Sequence, residues 1–197
     1  MKILYIIMIT AIAIFGISKI SDKNEVSLDA ERLNNRLNEV KEMVKTNSKY
    51  NTKIAFFIDM KIKSGKKRFF VYDLVDDKIL AEGMVAHGSG SETSIPGNLK
   101  FSNEPNSKST SLGKYSIGSS YLGKFGKAYR LHGLEETNSN AFKRNIVLHQ
   151  YSAVPLEDQL YYISNSQGCP MVSEVFFKQI EKIIDDSKSN IILDIYY

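Results

Sequence analysis

The sequence predicts a mainly β protein with a few helices around its sheet. From Lys53 to Ala86, hydrophobic residues recur at a period of two, as in half-buried strands. Short runs rich in β-branched and aromatic residues continue to the last of them, Asn190–Tyr196. Two other segments have the three- and four-residue spacing of amphipathic helices. The composition, 43% hydrophobic and 24% charged over 197 residues, is that of one globular domain with a full core.

Residues 1–20 predict a signal peptide or a membrane anchor. Lys2 supplies a positive charge, and Ile3–Ile17 is apolar apart from two residues. This run is short for a membrane span, which needs about 20 residues, and it suits the core of a signal peptide. No clear cleavage motif follows. We therefore expect an exported protein of the periplasm or cell envelope, with its leader either cleaved or retained as an anchor.

Residues 21–52 predict a linker that contains an amphipathic helix. The helical pattern runs from Ser27, a candidate N-cap, to about Lys45. Its apolar positions are Leu33, Leu37, Val40 and Val44. The pattern is compatible with a helix that packs on the domain and equally with a stalk.

Residues 53–197 predict the folded domain. A β-meander is expected first, from alternating residues near Ile54–Ile58 and the strand-like runs Arg68–Val75 and Lys78–Ala86. His87–Leu112 is dominated by Gly, Ser, Asn, Pro and Thr, and so long a loop in a compact domain usually binds a ligand or forms a lid. Further strands are predicted at Lys114–Gly118, Ala128–His132, Asn145–His149 and Asn190–Tyr196.

Cys169 is the single cysteine, so an internal disulfide is excluded. In an exported protein such a thiol is either buried and inert or reactive. It is followed by proline and by an apolar-periodic segment, which predict a helix over about Met171–Asp186 with Cys169 at or beside its N-cap. The helix dipole and free N–H groups there would lower the thiol pKa and stabilise an oxyanion. Gly168 would allow close approach of the backbone to a substrate.

A cysteine nucleophile needs a base, and the sequence offers His87, His132 and His149. His149 ends the apolar run Ile146–Leu148, as a residue at the tip of a central strand would. We expect His87 to be a surface or hydrogen-bonded core residue and leave His132 open. One cysteine and three scattered histidines do not have the spacing of a zinc site, so no metal is expected.

The spacing of these residues resembles a known family. His149 is followed, after sixteen residues, by a Ser-x-Gly-Cys motif that ends at Cys169, and this pattern is similar to the signature of the murein L,D-transpeptidase catalytic-domain family, the YkuD-like cysteine transpeptidases. Upstream, Ser111–Tyr115 resembles the family segment that borders the substrate cleft. Val85–Ser91 and Phe101–Asn103 are also similar to one branch of the family. The resemblance covers nearly the whole predicted domain.

The resemblance implies a β-rich fold with a sandwich- or barrel-like sheet, and a two-step acyl transfer. In the family, the cysteine attacks a carbonyl at an L-centre of a peptidoglycan stem peptide and releases the terminal D-amino acid, and an amine acceptor then resolves the thioester. By position, Cys169 is the nucleophile and His149 the base. The carbonyl of Gln150 would orient the imidazole, and N–H groups around Gly168 and Cys169 would form the oxyanion hole. This chemistry requires no cofactor.

Five residues are candidates for substrate binding. Arginine and hydroxyl groups suit the carboxylates of a stem peptide. Gln167 stands where the family usually has a histidine, and the usual basic or amide residue directly after the cysteine is missing. The candidates are Ser166, Gln167, Arg130, Tyr115 and Arg144.

Three functions remain open at this stage. An L,D-transpeptidase is the first, and an L,D-carboxypeptidase, in which water resolves the same thioester, is the second. A catalytically silent wall-binding module is the third, because the motif departs from the family pattern at Gln167. The expected partner is a peptidoglycan stem peptide, with membrane anchoring through residues 1–20. A net charge of only +4 and the lack of basic runs interleaved with aromatic residues argue against nucleic acid.

Overall fold

The structure, a computed structural model, describes residues 28–197. The chain falls into two compact units, of which the first ends at residue 36 and the second is Leu37–Tyr197. In the first unit, the described residues 28–36 are helical. The predicted leader, residues 1–20, lies outside the described residues. Within residues 28–197, no helix is both long enough and apolar enough to cross a membrane.

The second unit is built on one sheet, which confirms the predicted mainly β class. The described strands are β1 (Tyr50–Asp59), β2 (Phe69–Asp73), β3 (Lys78–Gly83), β4 (Val85–Ala86), β5 (Gly113–Gly123), β6 (Gly126–Gly133), β7 (Val147–Gln150), β8 (Met171–Val172) and β9 (Asn190–Tyr196). Their order in the sheet is β3-β2-β1-β9-β5-β6-β7-β8-β4. The β1–β9 and β7–β8 pairs are parallel, and the other neighbours are antiparallel.

The predicted meander is confirmed for β1, β2 and β3, but the single strand predicted over Lys78–Ala86 is wrong. β3 ends at Gly83, and β4 lies at the opposite edge of the sheet, where it pairs with β8. A Cβ at Gly83 would lie 2.5 Å from the Phe176 ring, so glycine is needed where the strand ends. Only Met84 separates β3 from β4, so the sheet must curl until its two edges meet at this point. His87 directly follows β4, and its carbonyl accepts a hydrogen bond from the Ser166 N–H of the cysteine motif at 2.8 Å.

The amphipathic helix is confirmed as α1, residues 28–46. The proposed N-cap Ser27 lies outside the described residues. Within the second unit, the helix packs on the domain, because three of its apolar side chains are buried there: Leu37, Val40 and Val44. Two ion pairs support this packing, from Lys41 to Asp77 at 2.6 Å and from Glu39 to Lys114 at 2.7 Å. Residues 37–46 are therefore part of the domain and not a free stalk.

The hydrophobic core lies between the sheet and α2 (Glu174–Asp185). Phe69 makes edge-to-face contacts with Phe56 and Phe176, with ring centroids 5.5 Å and 5.3 Å away. β9 is buried along almost its whole length because it lies between β1 and β5 in the middle of the sheet. This core supports β7 and β8, which carry the candidate site at their ends.

Candidate active site

Cys169 lies in an irregular turn before β8, and the prediction that it caps a helix is wrong. α2 begins only at Glu174, and its N-cap is Ser173, whose Oγ accepts a hydrogen bond from the Phe176 N–H at 3.2 Å. The intervening Met171–Val172 pair is buried as β8, between β7 and β4. Because a helix dipole acts only near the first turn, it does not lower the pKa of this thiol.

The thiol environment favours the neutral form. Burial raises the pKa of Cys169, and this effect outweighs the opposing influence of the Val147 N–H and of the Arg144 charge. The Val147 N–H lies 3.5 Å from Sγ, and the sulfur lies 3.7 Å from the Asn145 carbonyl oxygen. Cys169 is half-buried. At neutral pH the resting group is therefore a thiol, which needs a base to become a nucleophile.

His149 lies in β7 between β6 and β8, with Ala128 and Met171 as its pairing partners. Its Nδ1 is 2.9 Å from the carbonyl oxygen of Gln150. A carbonyl can only accept, so Nδ1 carries the proton and Nε2 has the free lone pair. Burial lowers the pKa of His149, although the Gln150 contact opposes this. The imidazole is thus neutral near pH 7 and has one nitrogen available as a base.

Cys169 and His149 line the same cavity, of about 510 Å³. Two residues predicted for substrate binding, Ser166 and Gln167, also line it. Sequence reasoning missed the other lining residues: Ser89, Lys108, Phe125, Tyr151, Asn165 and Met171. The Gly- and Ser-rich composition of His87–Leu112 was the available signal for Ser89 and Lys108, since it predicted a binding loop there.

The Phe125 ring, at the tip of the β5–β6 hairpin, stacks on the His149 imidazole at 5.4 Å with an interplanar angle of 15°. Its edge also meets Tyr151, with centroids 5.3 Å apart. The ring therefore shields one face of the imidazole from water, in agreement with the lowered pKa of His149.

Gly168 is required by the turn before Cys169. Its φ of +117° is one that L residues rarely adopt, and a Cβ there would lie 2.9 Å from the Ser109 carbonyl oxygen. Its N–H donates to Ser166 Oγ at 3.0 Å and so is not free for the predicted oxyanion hole. The Cys169 N–H, in contrast, has no acceptor among residues 28–197. This group is the better placed of the two predicted donors.

A comparison with family models now gives the decisive match. Residues 24–193 match the model described as the L,D-transpeptidase catalytic domain, YkuD_2. The chain belongs to the L,D-transpeptidase catalytic-domain family. A comparison with curated proteins finds no match.

Solved structures with detectable similarity include L,D-transpeptidases from Xylanimonas cellulosilytica and Mycobacterium smegmatis. The first has 13% identity and a TM-score of 0.42, covering 73% of this chain and 60% of that chain. The second has 10% identity and a TM-score of 0.42, covering 74% and 59%. The helical cell shape determining protein Pgp2 from Campylobacter jejuni has 12% identity and a TM-score of 0.49, covering 73% and 46%. This chain thus spans less than two thirds of each of those proteins.

Two residues predicted to bind substrate do not lie at the cavity of this L,D-transpeptidase domain. Tyr115 is fully buried, and its hydroxyl donates to the Ser111 carbonyl at 2.7 Å, so it supports the core. Arg130 has its guanidinium over the rings of Tyr121 and Phe142, at 4.7 Å and 5.6 Å from their centroids. The Tyr115 hydroxyl is therefore not available to a substrate, whereas carboxylate binding by Arg130 stays a prediction for a residue outside the cavity.

Arg144 is also used differently from the prediction. Its guanidinium donates to the carbonyls of Ser102 and Ser109 at 2.9 Å and 2.6 Å. It also contacts the hydroxyls of Ser107 and Ser111 at 3.2 Å and 3.3 Å. These contacts hold the loop to Arg144, whose Nη2 lies beside Gly168 of the cysteine turn, and the side chain is not presented to a substrate carboxylate.

The other two histidines lie outside the cavity. His87 is the hydrogen-bonded core residue that the sequence led us to expect, and it contacts Arg68 and Glu92. His132 stacks on Phe142, with ring centroids 5.1 Å apart. In the part of the chain that the structure describes, no group of three or more His, Cys, Asp or Glu side chains is arranged to hold a metal ion.

Proposed function

We propose that this protein is an exported peptidoglycan L,D-transpeptidase that forms a thioester between Cys169 and a stem peptide and transfers the acyl group to an amine. The observation that carries the proposal is the shared cavity of the thiol and of a neutral imidazole whose Nδ1 is held by the Gln150 carbonyl. A thiol with a raised pKa is not nucleophilic by itself, and the neighbouring imidazole supplies the missing base.

The proposed acylation starts from the neutral pair. His149 Nε2 takes the proton from Sγ as the sulfur attacks the stem-peptide carbonyl. The oxyanion that forms accepts a hydrogen bond from the Cys169 N–H. The tetrahedral intermediate collapses with cleavage of the C–N bond, and the imidazolium returns its proton to the departing D-amino acid. The result is a thioester and a neutral imidazole.

Transfer then repeats the same steps in the opposite direction. The acceptor amine attacks the thioester carbonyl, and His149 removes the proton from the attacking nitrogen. The C–S bond breaks, the thiolate of Cys169 regains the proton, and a new amide is formed. Lys108 is the one charged side chain that lines the cavity in the described structure, and its ammonium would attract a carboxylate of the substrate.

The test is intact-protein mass spectrometry of the purified full chain with a carbapenem, beside Cys169→Ala. The family chemistry implies a covalent adduct on the parent and none on the variant. His149→Ala should form the adduct much more slowly while remaining folded by circular dichroism. If the folded parent forms no adduct, the nucleophile assignment fails and the silent wall-binding module is favoured.

Incubation with peptidoglycan fragments separates transfer from hydrolysis, because both share the acylation step. Crosslinked dimers are expected for the proposed transpeptidase, whereas shortened monomeric stems alone would identify an L,D-carboxypeptidase. Export is tested by cell fractionation with and without residues 1–20. Recovery of the intact chain only from the cytoplasm would contradict the proposal.

A further inference from the structure

A chain of polar side chains leads from the protein interior to the active-site cavity. Arg68 is almost fully buried and donates to the Val85 carbonyl through Nε at 3.0 Å and through Nη2 at 2.7 Å. Its Nη2 also lies 2.9 Å from His87 Nδ1. On the other side of the ring, His87 Nε2 lies 2.7 Å from Glu92 Oε1. The same carboxylate oxygen lies 3.2 Å from Asn165 Nδ2, and Asn165 lines the cavity.

The direction of every hydrogen bond in this chain is determined by its first member. Burial lowers the pKa of Arg68 to about 9, so the guanidinium stays charged at neutral pH and can only donate. His87 Nδ1 must therefore accept, and the ring proton lies on Nε2. Nε2 then donates to Glu92, which as a carboxylate can only accept. His87 is thus held as one neutral tautomer.

The orientation of the Asn165 amide follows from the same rule. Because Glu92 accepts, the group that faces it must be the amide NH₂, and Oδ1 points away from the carboxylate. Among residues 28–197, no group donates to this Oδ1. Asn165 is exposed at the cavity, so an oriented acceptor is available to a ligand.

The backbone directly after Asn165 is also held in place. Ser166 N–H donates to the His87 carbonyl at 2.8 Å, and Ser89 N–H donates to the Ser166 carbonyl at 2.8 Å. A Cβ at Gly88 would lie 2.9 Å from Gly168 N, so the two segments are in close contact. The Asn165 acceptor therefore lies on a hydrogen-bonded segment that precedes Cys169 in the chain.

We propose that Asn165 is a specificity-determining residue whose Oδ1 accepts a hydrogen bond from a backbone amide N–H of the stem peptide, and that His87 and Glu92 are positioning residues that hold it there. This inference rests on the proposed function for the identity of the ligand. A neutral N–H fits better than an ammonium, because the charged side chain that lines the cavity is the cationic Lys108. The contact would align the peptide for attack on its carbonyl.

The test measures binding without chemistry. A synthetic stem tetrapeptide is titrated by calorimetry into the full chain carrying Cys169→Ala, with and without Asn165→Ala. Loss of one net hydrogen bond should weaken the Kd by about two- to twelvefold. A series of tetrapeptides, each with one backbone N–H replaced by N–CH₃, identifies the donor. For the peptide that lacks this donor, the Asn165→Ala substitution should cause no further change in Kd.

Glu92→Gln and Glu92→Ala form the matched pair for the positioning role. The glutamine keeps one oxygen that accepts from both neighbours, so its Kd should stay near that of the parent, whereas alanine should reproduce the loss seen in Asn165→Ala. Melting temperatures confirm that each variant is folded. An unchanged Kd in Asn165→Ala, or an equal effect of this substitution on every methylated peptide, would overturn the inference.

Acyl transfer by the unsubstituted chain is assayed separately with the same tetrapeptide. If the peptide binds with the Asn165 dependence described above but is never transferred, the proposed function fails and the recognition site stands. If the peptide is transferred but its Kd does not depend on Asn165, the recognition site fails and the proposed function stands. A peptide that does not bind the Cys169→Ala chain at all would also refute the recognition site.

Discussion

Replacement of Arg144 by methionine should both destabilise the domain and make the thiol less acidic. Arg144 binds the loop through two hydrogen bonds to main-chain carbonyls and two longer contacts to hydroxyls, and its Nη2 lies beside Gly168 of the cysteine turn. Its positive charge also lowers the pKa of Cys169 against the larger effect of burial. Methionine retains most of the apolar stem and removes the charge and all four contacts.

The expected loss can be worked out from these contacts. A hydrogen bond to a charged group contributes about 1.5–3 kcal/mol, and we take the lower end or less because Arg144 is half-buried. The two hydrogen bonds to carbonyls then contribute about 1 kcal/mol each, and the two hydroxyl contacts contribute about 0.5 kcal/mol each. The total is about 3 kcal/mol in the free energy of unfolding, a shift of about 1–3 M in the urea midpoint.

The thiol is assayed by its rate of alkylation with iodoacetamide as a function of pH. Loss of the positive charge disfavours the thiolate, so the apparent pKa of Cys169 should rise in Arg144→Met. Arg144→Lys should show a smaller rise, because it keeps a charge and cannot reach both carbonyls.

Arg130→Met is the matched control, since Arg130 contacts only two aromatic rings in the described structure. We expect it to cost about 1 kcal/mol and to leave the thiol pKa unchanged. If the urea midpoint of Arg144→Met equals that of the parent, or if the apparent pKa of Cys169 is the same in both, the role assigned to Arg144 is refuted.

Three further predictions concern the site and its support. Gly168→Ala should lower the free energy of unfolding by about 2–4 kcal/mol, because Gly168 has a positive φ and lies close to a carbonyl oxygen. The control Gly123→Ala, at a residue in an ordinary conformation, should change this free energy by less than about 0.5 kcal/mol. Urea titrations measure both values. The pKa of His149 is lowered and that of Cys169 is raised, so the pair is active when the imidazole is neutral and the thiol is protonated. The value of kcat/KM for acyl transfer should therefore rise with pH as His149 loses its proton, with a midpoint below about 6.5. A midpoint above pH 7 would contradict the neutral pair. Tyr115→Phe should cost about 1 kcal/mol of stability and leave KM unchanged, whereas a large rise in KM would restore Tyr115 as a substrate contact.

Much of the sheet was predictable because it depends on local alternation. The strands near Ile54 and Asn190 have strong period-two or continuous apolar patterns, and both form long strands. The break after Gly83 was not predictable, since Lys78–Ala86 remains apolar and strand-like on both sides of it. The separation depends on the Phe176 ring, which is distant in sequence and packs against that glycine.

The sequence by itself determined the mainly β class and the amphipathic helix, and it predicted Cys169 and His149 as a catalytic pair, two residues that line one cavity in the structure. These depend on residue type, period and motif spacing, which are local properties of the chain. Only the tertiary structure decided that Met171–Val172 forms a strand and separates the cysteine from α2, because the partners of that strand come from β4 and β7.

The tertiary structure also decided the roles of the polar residues around the site. Arg144 and Tyr115 have the same chemical groups whether they bind a substrate or the protein itself, and only the positions of loop carbonyls decide between these roles. For the same reason, Asn165 became a candidate only when Glu92 was found beside it. A hydrogen bond between distant residues leaves no periodic trace in a sequence, and so it has to be observed in the fold.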